Sequence, residues 1–557
     1  MKGKVFTSAL LLAISLSVVS AQVRTDQAHE DLYARSTRLR EQSQLRADKK
    51  AKTFFVSPLR YAILDEAAKT VEVSKLQRQD PRDKKNFKDL TIPETVTNDG
   101  VTYTVVAIGK DAFGDPRLEL ENCTMPKTIK VIKSQAFAFS KLKKIAIPDN
   151  VVEVEEEAFM YVTKATELQI GASLQKIGRD AFYDLFYLKQ IKLSPLNKHL
   201  AIKDEILYDK DIKILYLSPS FRRSFTSYVM PESVEELAPA AMMGNVYLKS
   251  LTLSKRLKKI GEAALNRCIH LESLELPASL EEFDEVGSNQ GMYHLKEFKV
   301  ADGNKKYATI NGLLYTKDKK TLLRYPQGHP DSLNVVIPMG VEQIGESAFE
   351  ACANVEHIEI PQSVTDIHSR AFSETGIKRM RLPDRLEVLS PYLFYRCLKL
   401  EELHIGSALK TVLADAFSVC SKLKKISIVA AEPPVFFADD NDFNEFPEEI
   451  EEGSILTVSI GAAAKYKQAP EWKRFAQIVE SEKVSVEDVI DGSSGFDVFV
   501  EGHLVRINSA RPSVVAVFDL LGKKVFKSKL STEASLTLDE GSYIIKVGNS
   551  VRKIQVR

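Results

Sequence analysis

One pattern recurs through the middle of this chain every 22 to 23 residues and limits what the chain can fold into. A clear copy reads Val355-x-x-Ile358-x-Ile360-Pro361-x-x-Val364-x-x-Ile367, then Ala371-Phe372. The next reads Ile377-x-x-Met380-x-Leu382-Pro383-x-x-Leu386-x-x-Leu389, then Leu393-Phe394-x-x-Cys397. A third runs from Leu400 to Ala416-Phe417-x-x-Cys420. The aromatic anchors fall at Phe349, Phe372, Phe394 and Phe417. A fixed period of this length means a stacked solenoid. One unit cannot bury its own apolar residues, whereas neighbours on both sides can. The core then grows in one dimension, so 557 residues need not divide into several globular domains.

Earlier anchors at Phe113, Phe137, Phe159 and Phe182 extend the pattern toward the N-terminus. The repeats are therefore assigned to 108–429, with a β-rich N-terminal cap at 54–107. In the cap, one hairpin is predicted around the turn 65–69. A second is predicted at Asn98-Asp99-Gly100, between Thr91-Ile92-Pro93 and Tyr103–Val106. Two interruptions, at about 194–230 and 301–336, are copies of each other. Ile206-Leu207-Tyr208-Asp209-Lys210-Asp211 matches Leu313-Leu314-Tyr315-Thr316-Lys317-Asp318, and each is predicted to be an inserted β-hairpin with a charged turn. Residues 430–480 close the solenoid, with a helix predicted over 462–475 around the single Trp472. A linker follows at 481–495, rich in Gly and Ser at its end. Residues 496–557 alternate apolar and polar in seven short runs, which predicts a small β-sandwich.

Residues 1–21 carry Lys2 and Lys4, an apolar run and a small-residue end at Val19-Ser20-Ala21. This predicts a secretory signal peptide, followed by a polar leader at 22–53. No later stretch reaches the ~18 apolar residues of a spanning helix. With 77 Lys plus Arg against 76 Asp plus Glu, charge gives no case for nucleic acid. Cys268, Cys352, Cys397 and Cys420 share one repeat position, three residues after the anchor, which predicts buried free thiols. The acidic run 439–452 lacks the spacing of a helix-loop-helix calcium site and reads as a solvated loop.

The coil Leu-x-x-Ile-x-Ile-Pro-x-x-Val-x-x-Ile-x-x-x-Ala-Phe-x-x-Cys resembles the BspA-type leucine-rich repeat family of bacterial surface proteins, over roughly 91–428. That resemblance implies a leucine-rich-repeat solenoid with parallel strands on its concave face, and extracellular binding or adhesion. The implied partners are a host or matrix protein or glycoprotein. The tail Val515-x-Val517-Phe518-Asp519-Leu520-Leu521-Gly522 with Gly541-x-Tyr543-Ile544-Ile545-Lys546-Val547 resembles the C-terminal sorting domain of type IX (Por) secretion. It implies cell-surface or extracellular placement in a Gram-negative bacterium, with outer-membrane secretion machinery as a further partner. The usual Pro-Asn-Pro near the start of that domain is missing here. An active sorting signal and a retained β-sandwich module both remain open.

Motifs for catalysis are lacking: there is no Gly-rich phosphate loop, no His-Glu-x-x-His and no Gly-x-Ser-x-Gly. No enzyme activity, cofactor or metal site is predicted. His357 and His404 occupy equivalent strand positions two coils apart, ~9–10 Å, too far to share one metal. The candidate ligand-binding residues are the outward strand positions of three successive coils: His357 and Glu359, Arg379 and Arg381, Glu402 and His404. Arg forks onto carboxylates and is enriched at interface hot spots. The competing readings are a self-neutralising charge ladder in a structural cell-envelope protein and a glycan binder for nutrient capture. The mostly charged and small polar outward positions favour a protein partner over a sugar.

Overall fold

The turn that carries the aromatic anchor is the most regular part of the molecule. Around Phe372 the residues two before and two after, Arg370 and Glu374, adopt left-handed backbone with φ of 57° and 55°. The same holds for Ser347 and Ala351 around Phe349, and for Tyr392 and Arg396 around Phe394. None of these is glycine, and a left-handed L-residue costs about 1–2 kcal/mol. The hydrogen bonds explain why the conformation persists. Arg370, Phe372 and Glu374 donate their N–H groups to the carbonyls of Pro391, Leu393 and Tyr395 one coil on. Tyr392, Phe394 and Arg396 do the same to Ala414, Ala416 and Ser418. Each coil is thereby tied to the next by three backbone bonds where no strand exists.

This computed structural model describes residues 52–556, apart from 77–86, 285–290, 331, 438–445, 482–495, 502, 510–512, 521, 531–532 and 548–549. The predicted signal peptide, almost all of the leader and linker, part of the acidic run and the middle of the coil spanning 283–293 lie outside the described residues. The chain forms two compact units.

The first unit runs to Ser140 and includes 146–159 and 176–181. Its sheet orders the strands Thr53–Val56, Leu59–Asp65, Thr70–Leu76, Val101–Ile108, Val131–Ile132, Glu153–Val154 and Lys176–Ile177. The first pairings are antiparallel, and from Thr70–Leu76 onward they are parallel. The cap therefore passes into the repeats without a seam. The turn at Asn98-Asp99-Gly100 forms as expected, but its first strand is Thr95–Asn98. Thr91 belongs instead to Asp89–Thr91, parallel to Asn122–Thr124. Leu90-x-Ile92-Pro93 is thus the strand of a first coil, and the hairpin interrupts that coil. The rings of Phe113, Phe137 and Phe159 stack in series at 4.9 and 5.2 Å.

The second unit holds the later coils, the insertions and the C-terminal module. Each coil contributes a long strand of three to four residues and a short strand of mostly two. Both pair in parallel with their equivalents. Tyr325, Phe349, Phe372, Phe394, Phe417 and Phe446 stack at 5.1 to 6.0 Å through the interior. Beside them Cys397 and Cys420 give their thiol hydrogens to the carbonyls of Phe372 and Phe394 one coil back, at 3.1 and 3.0 Å. Cys268 does likewise to Met242, and burial pushes that thiol up to about 12. All five cysteines are free, and the four at the repeat position are buried.

Each insertion holds the expected hairpin and one further strand. Leu200–Lys203, Ile206–Asp209 and Ile214–Leu217 form an antiparallel meander whose last strand joins the short-strand sheet in parallel. Tyr307–Ile310, Leu313–Thr316 and Thr321–Arg324 repeat this arrangement with the same register shift. The closing segment is not one helix. Pro470 lacks the N–H a helix interior needs. The segment divides into a helix at Ala463–Tyr466 and a 3-10 turn at Trp472–Arg474. Buried Trp472 donates from Nε1 to the Pro434 carbonyl at 2.9 Å and ends the aromatic stack.

The C-terminal module has seven strands in two antiparallel sheets around Val505, Ile507, Val515, Val517, Ile545 and Val547. It touches the second insertion. Met339 donates its N–H to Leu520 O at 2.8 Å, and Asn311 Nδ2 donates to Gly522 O at 3.0 Å. Gly522 has a φ of +77° and sits where a Cβ would lie 3.2 Å from Pro338 Cγ.

Candidate functional site

The long strands His357–Glu359, Arg379–Arg381 and Glu402–Ile405 present the six outward residues on one face. Arg379 lies in register with Glu402, and Arg381 with His404. His357–Glu359 pairs with Asn334–Val336 on its other side but makes no ladder with Arg379–Arg381. The short strands part at the same step, between Asp366–Ile367 and Val388–Leu389. The coil at this step is also one residue short. Phe372 to Phe394 spans 22 residues, and the deletion falls before the long strand, at Gly376. There the backbone of the two coils comes so close that a Cβ on Gly376 would lie 2.1 Å from Ala353 O. Ser390 Oγ reaches the Ile367 carbonyl at 2.5 Å, where other coils use a backbone N–H. A groove of about 740 Å³ opens alongside, lined by Asp366, His368, Arg385, Glu387 and Ser390.

The six residues do not neutralise one another. Arg379 and Glu402 face each other without an ion pair among the described residues. Arg381 pairs with Asp384 three positions on, at 3.1 Å, and its Nη1 has no hydrogen-bond partner. His404 is only 3% exposed, so it is not the open position its place in the pattern suggested, and its Nε2 also lacks a partner. Burial, then the Arg381 charge, lowers the His404 pKa to about 4, so this ring is neutral near pH 7. Burial and Arg379 also lower His357. Glu359 is exposed by area, yet crowding protein atoms desolvate its carboxyl and raise its pKa.

Other coils behave differently. At equivalent strand positions Glu167 pairs with Lys144 and Lys192 at 3.1 and 2.8 Å, and these bonds hold its pKa down. At the strand edge, Lys258–Glu235, Lys296–Glu272, Lys320–Glu342 and Lys378–Glu356 bridge successive coils at 2.7 to 2.9 Å. Ion pairs between coils therefore form on residues that flank the strands, and of these four only Lys378–Glu356 adjoins the six-residue patch.

Two constellations were invisible in the pattern. Arg267 pairs with buried Asp184 at 3.0 Å across 83 residues, an insertion and a coil lying between them in sequence. Tyr187, Phe221 and Tyr247 form a partly exposed aromatic row, with ring centroids at 5.3 and 5.8 Å. Phe221 comes from an insertion, so no repeat position announces it. Among the described residues no three His, Cys, Asp or Glu side chains are grouped to hold a metal ion, and no helix is long and apolar enough to cross a membrane.

Stacked parallel coils of this length, with anchored turns and two strand ladders, define a leucine-rich repeat solenoid. The family model for the BspA-type leucine-rich repeat region matches residues 106–223, 220–309 and 330–432, and the chain belongs to that family. Proteins of this type are typically associated with the cell surface, and no catalytic family is indicated. Among solved structures, a leucine-rich cell surface protein from Faecalibacterium prausnitzii is 21% identical, with a TM-score of 0.44. The match covers 78% of this chain and 95% of that one. The pneumococcal vaccine antigen PcpA is 19% identical over 78% of this chain and 99% of its own, with a TM-score of 0.35. A leucine-rich repeat protein from Bacteroides ovatus is 19% identical over 73% and 99%, with a TM-score of 0.31. Comparison with curated proteins finds no match.

Proposed function

We propose that this chain is an exported, surface-held binding protein that recognises an extracellular host or matrix protein or glycoprotein through its long-strand face. The contact is assigned to His357, Glu359, Arg379, Arg381 and Glu402, with buried His404 lying beneath them. The observation that carries this reading is the unspent hydrogen-bonding capacity of the patch. Among the described residues Arg379 has no ion pair and Arg381 Nη1 and His404 Nε2 have no partner, whereas Glu167 on another strand and Glu356 beside the patch are paired with lysines. Unsatisfied polar groups that are largely buried are costly and call for a partner. An acidic side chain of a protein ligand supplies the acceptor that partly exposed Arg379 lacks. In this reading residues 1–21 direct export, and the module at 496–557 acts in sorting or attachment.

The test is a pull-down with the mature protein from host-cell and mucus extracts, followed by Arg379→Ala with Arg381→Ala. Binding that disappears while the melt stays put supports the patch. Intact binding removes it. Deleting 496–557 in the native host should retain protein in the periplasm, and unchanged surface exposure would end the sorting reading. A second reading rests on the row Tyr187, Phe221 and Tyr247. Such rings can stack on a sugar, so glycan-array binding abolished by Tyr247→Ala would favour a glycan ligand.

A further inference from the structure

The two insertions are copies of each other, and they differ where the C-terminal module sits. Ile310, Asn311 and Met339 of the second stand where the first has Lys203, Asp204 and Glu232. All three charged residues are exposed on the first copy. Their uncharged counterparts meet the module. Asn311 Nδ2 donates to Gly522 O at 3.0 Å, and the Met339 N–H donates to Leu520 O at 2.8 Å. A Cβ on Gly522 would lie 3.6 Å from Asn311 Nδ2 and 3.7 Å from Ile310 Cγ2. Ile310, Val336 and Pro338 line a cavity of about 80 Å³ whose other wall is Phe518, Leu520 and Ile544 of the module. Val229, the match of Val336 on the first copy, is 69% exposed, whereas Val336 is half-buried.

We infer that the second insertion is a seat for the C-terminal module of its own chain, and that the contact is a latch which any partner of the module's 518–522 turn must open. A charge placed against apolar surface loses hydration and gains no partner. A carboxylate in the place of Asn311 would face the Gly522 carbonyl, acceptor against acceptor. The first insertion therefore repels the module, and the second has nothing at these positions to repel it. Gly522 completes the fit, because its φ of +77° suits glycine and Pro338 Cγ would lie 3.2 Å from a Cβ there. The contact is nevertheless small, with two hydrogen bonds and a few apolar residues around a cavity. Interfaces between domains of one chain resemble transient ones, so it can be opened. The linker at 481–495 holds the module at an effective concentration on the order of millimolar. A contact too weak to join separate molecules then stays closed within one chain. The latch does not depend on the ligand patch of the later coils.

The test is hydrogen exchange on the full chain, resolved to the Met339 amide. Asn311→Asp with Met339→Glu puts residues of the first insertion into the second. Exchange at position 339 should quicken at least tenfold, while 343–428 keeps its rates. Gly522→Ala should have the same effect from the module side. The mirror pair, Asp204→Asn with Glu232→Met, should leave position 339 as in the parent. Unchanged exchange in both the Asn311→Asp/Met339→Glu and the Gly522→Ala proteins overturns the seat, and so does faster exchange in the mirror pair. Protection at 339 should also be the same in dilute and concentrated protein. Protection that grows with concentration would mean that the seat takes the module of a second copy, which overturns a latch within one chain.

Discussion

The turn side and the long-strand side of the same coils obey different rules between Phe349 and Phe417. On the turn side every step is alike: Phe on Phe, three backbone bonds, two left-handed residues. On the strand side the ladder between Glu359 and Arg379 is missing, although the turn bonds of the same two coils are intact. The difference teaches that the turns hold the stack, and that the strand face can lose its pairing. Groups on that face can then remain without internal partners.

The largest expected effect is on the turn side. Phe372→Ala empties a fully packed aromatic site between two other rings and should cost ~3–5 kcal/mol in denaturant unfolding. A loss below 1 kcal/mol would mean that the ring stack does not hold the coils. On the strand side, burial of neutral His404 makes stability depend on acid. Its pKa falls from 6.5 to about 4 on folding, so above pH 6.5 both states are neutral and stability is at its plateau. Between pH 6.5 and about 4 the unfolded chain takes up the proton and the folded chain does not, so stability declines as pH falls. The full decline is about 3 kcal/mol, and His404→Gln should flatten that part of the pH–stability curve. Equal slopes in the two proteins would show that His404 is not buried as described.

Gly376→Ala tests the joint between the two sides. The new Cβ meets backbone, which cannot swing away as a side chain can. A cost of ~1–3 kcal/mol is expected, and a neutral result would mean that the two coils are not in contact at Gly376. The smallest effect belongs to the patch itself. Arg379→Ala with Arg381→Ala should move stability by less than ~1 kcal/mol, because the single ion pair removed, Arg381–Asp384, is partly exposed. A larger loss would mean that the arginines hold the strands together and are not reserved for a ligand.

Removing the C-terminal module gives a related comparison. Its linker composition predicts that the repeats fold without 496–557, yet it contacts the second insertion at Gly522 and Leu520. Cooperative melting of the truncated chain, with the insertion at 307–324 less protected from hydrogen exchange than its twin at 200–217, would separate those two statements.

The period of 22 to 23 residues and the apolar spacing were enough to specify the stacked coils, the buried Phe and Cys positions, both inserted hairpins and all seven strands of the last module. Each is set by local spacing, because identical units must meet identical neighbours. Other features needed the tertiary structure. Ile92-Pro93 reads as a hairpin strand until Asp89–Thr91 is seen beside Asn122–Thr124. The extra strand of each insertion, at Leu200–Lys203 and Tyr307–Ile310, carries no turn signal of its own. The pairing of Arg379 with Glu402 in register was legible, but not that they form no ion pair, or that His404 is covered. Those outcomes depend on how one short coil seats against its neighbour. A one-residue deletion is visible in a sequence, whereas the way stacked backbones adjust to it is decided only by contacts between coils.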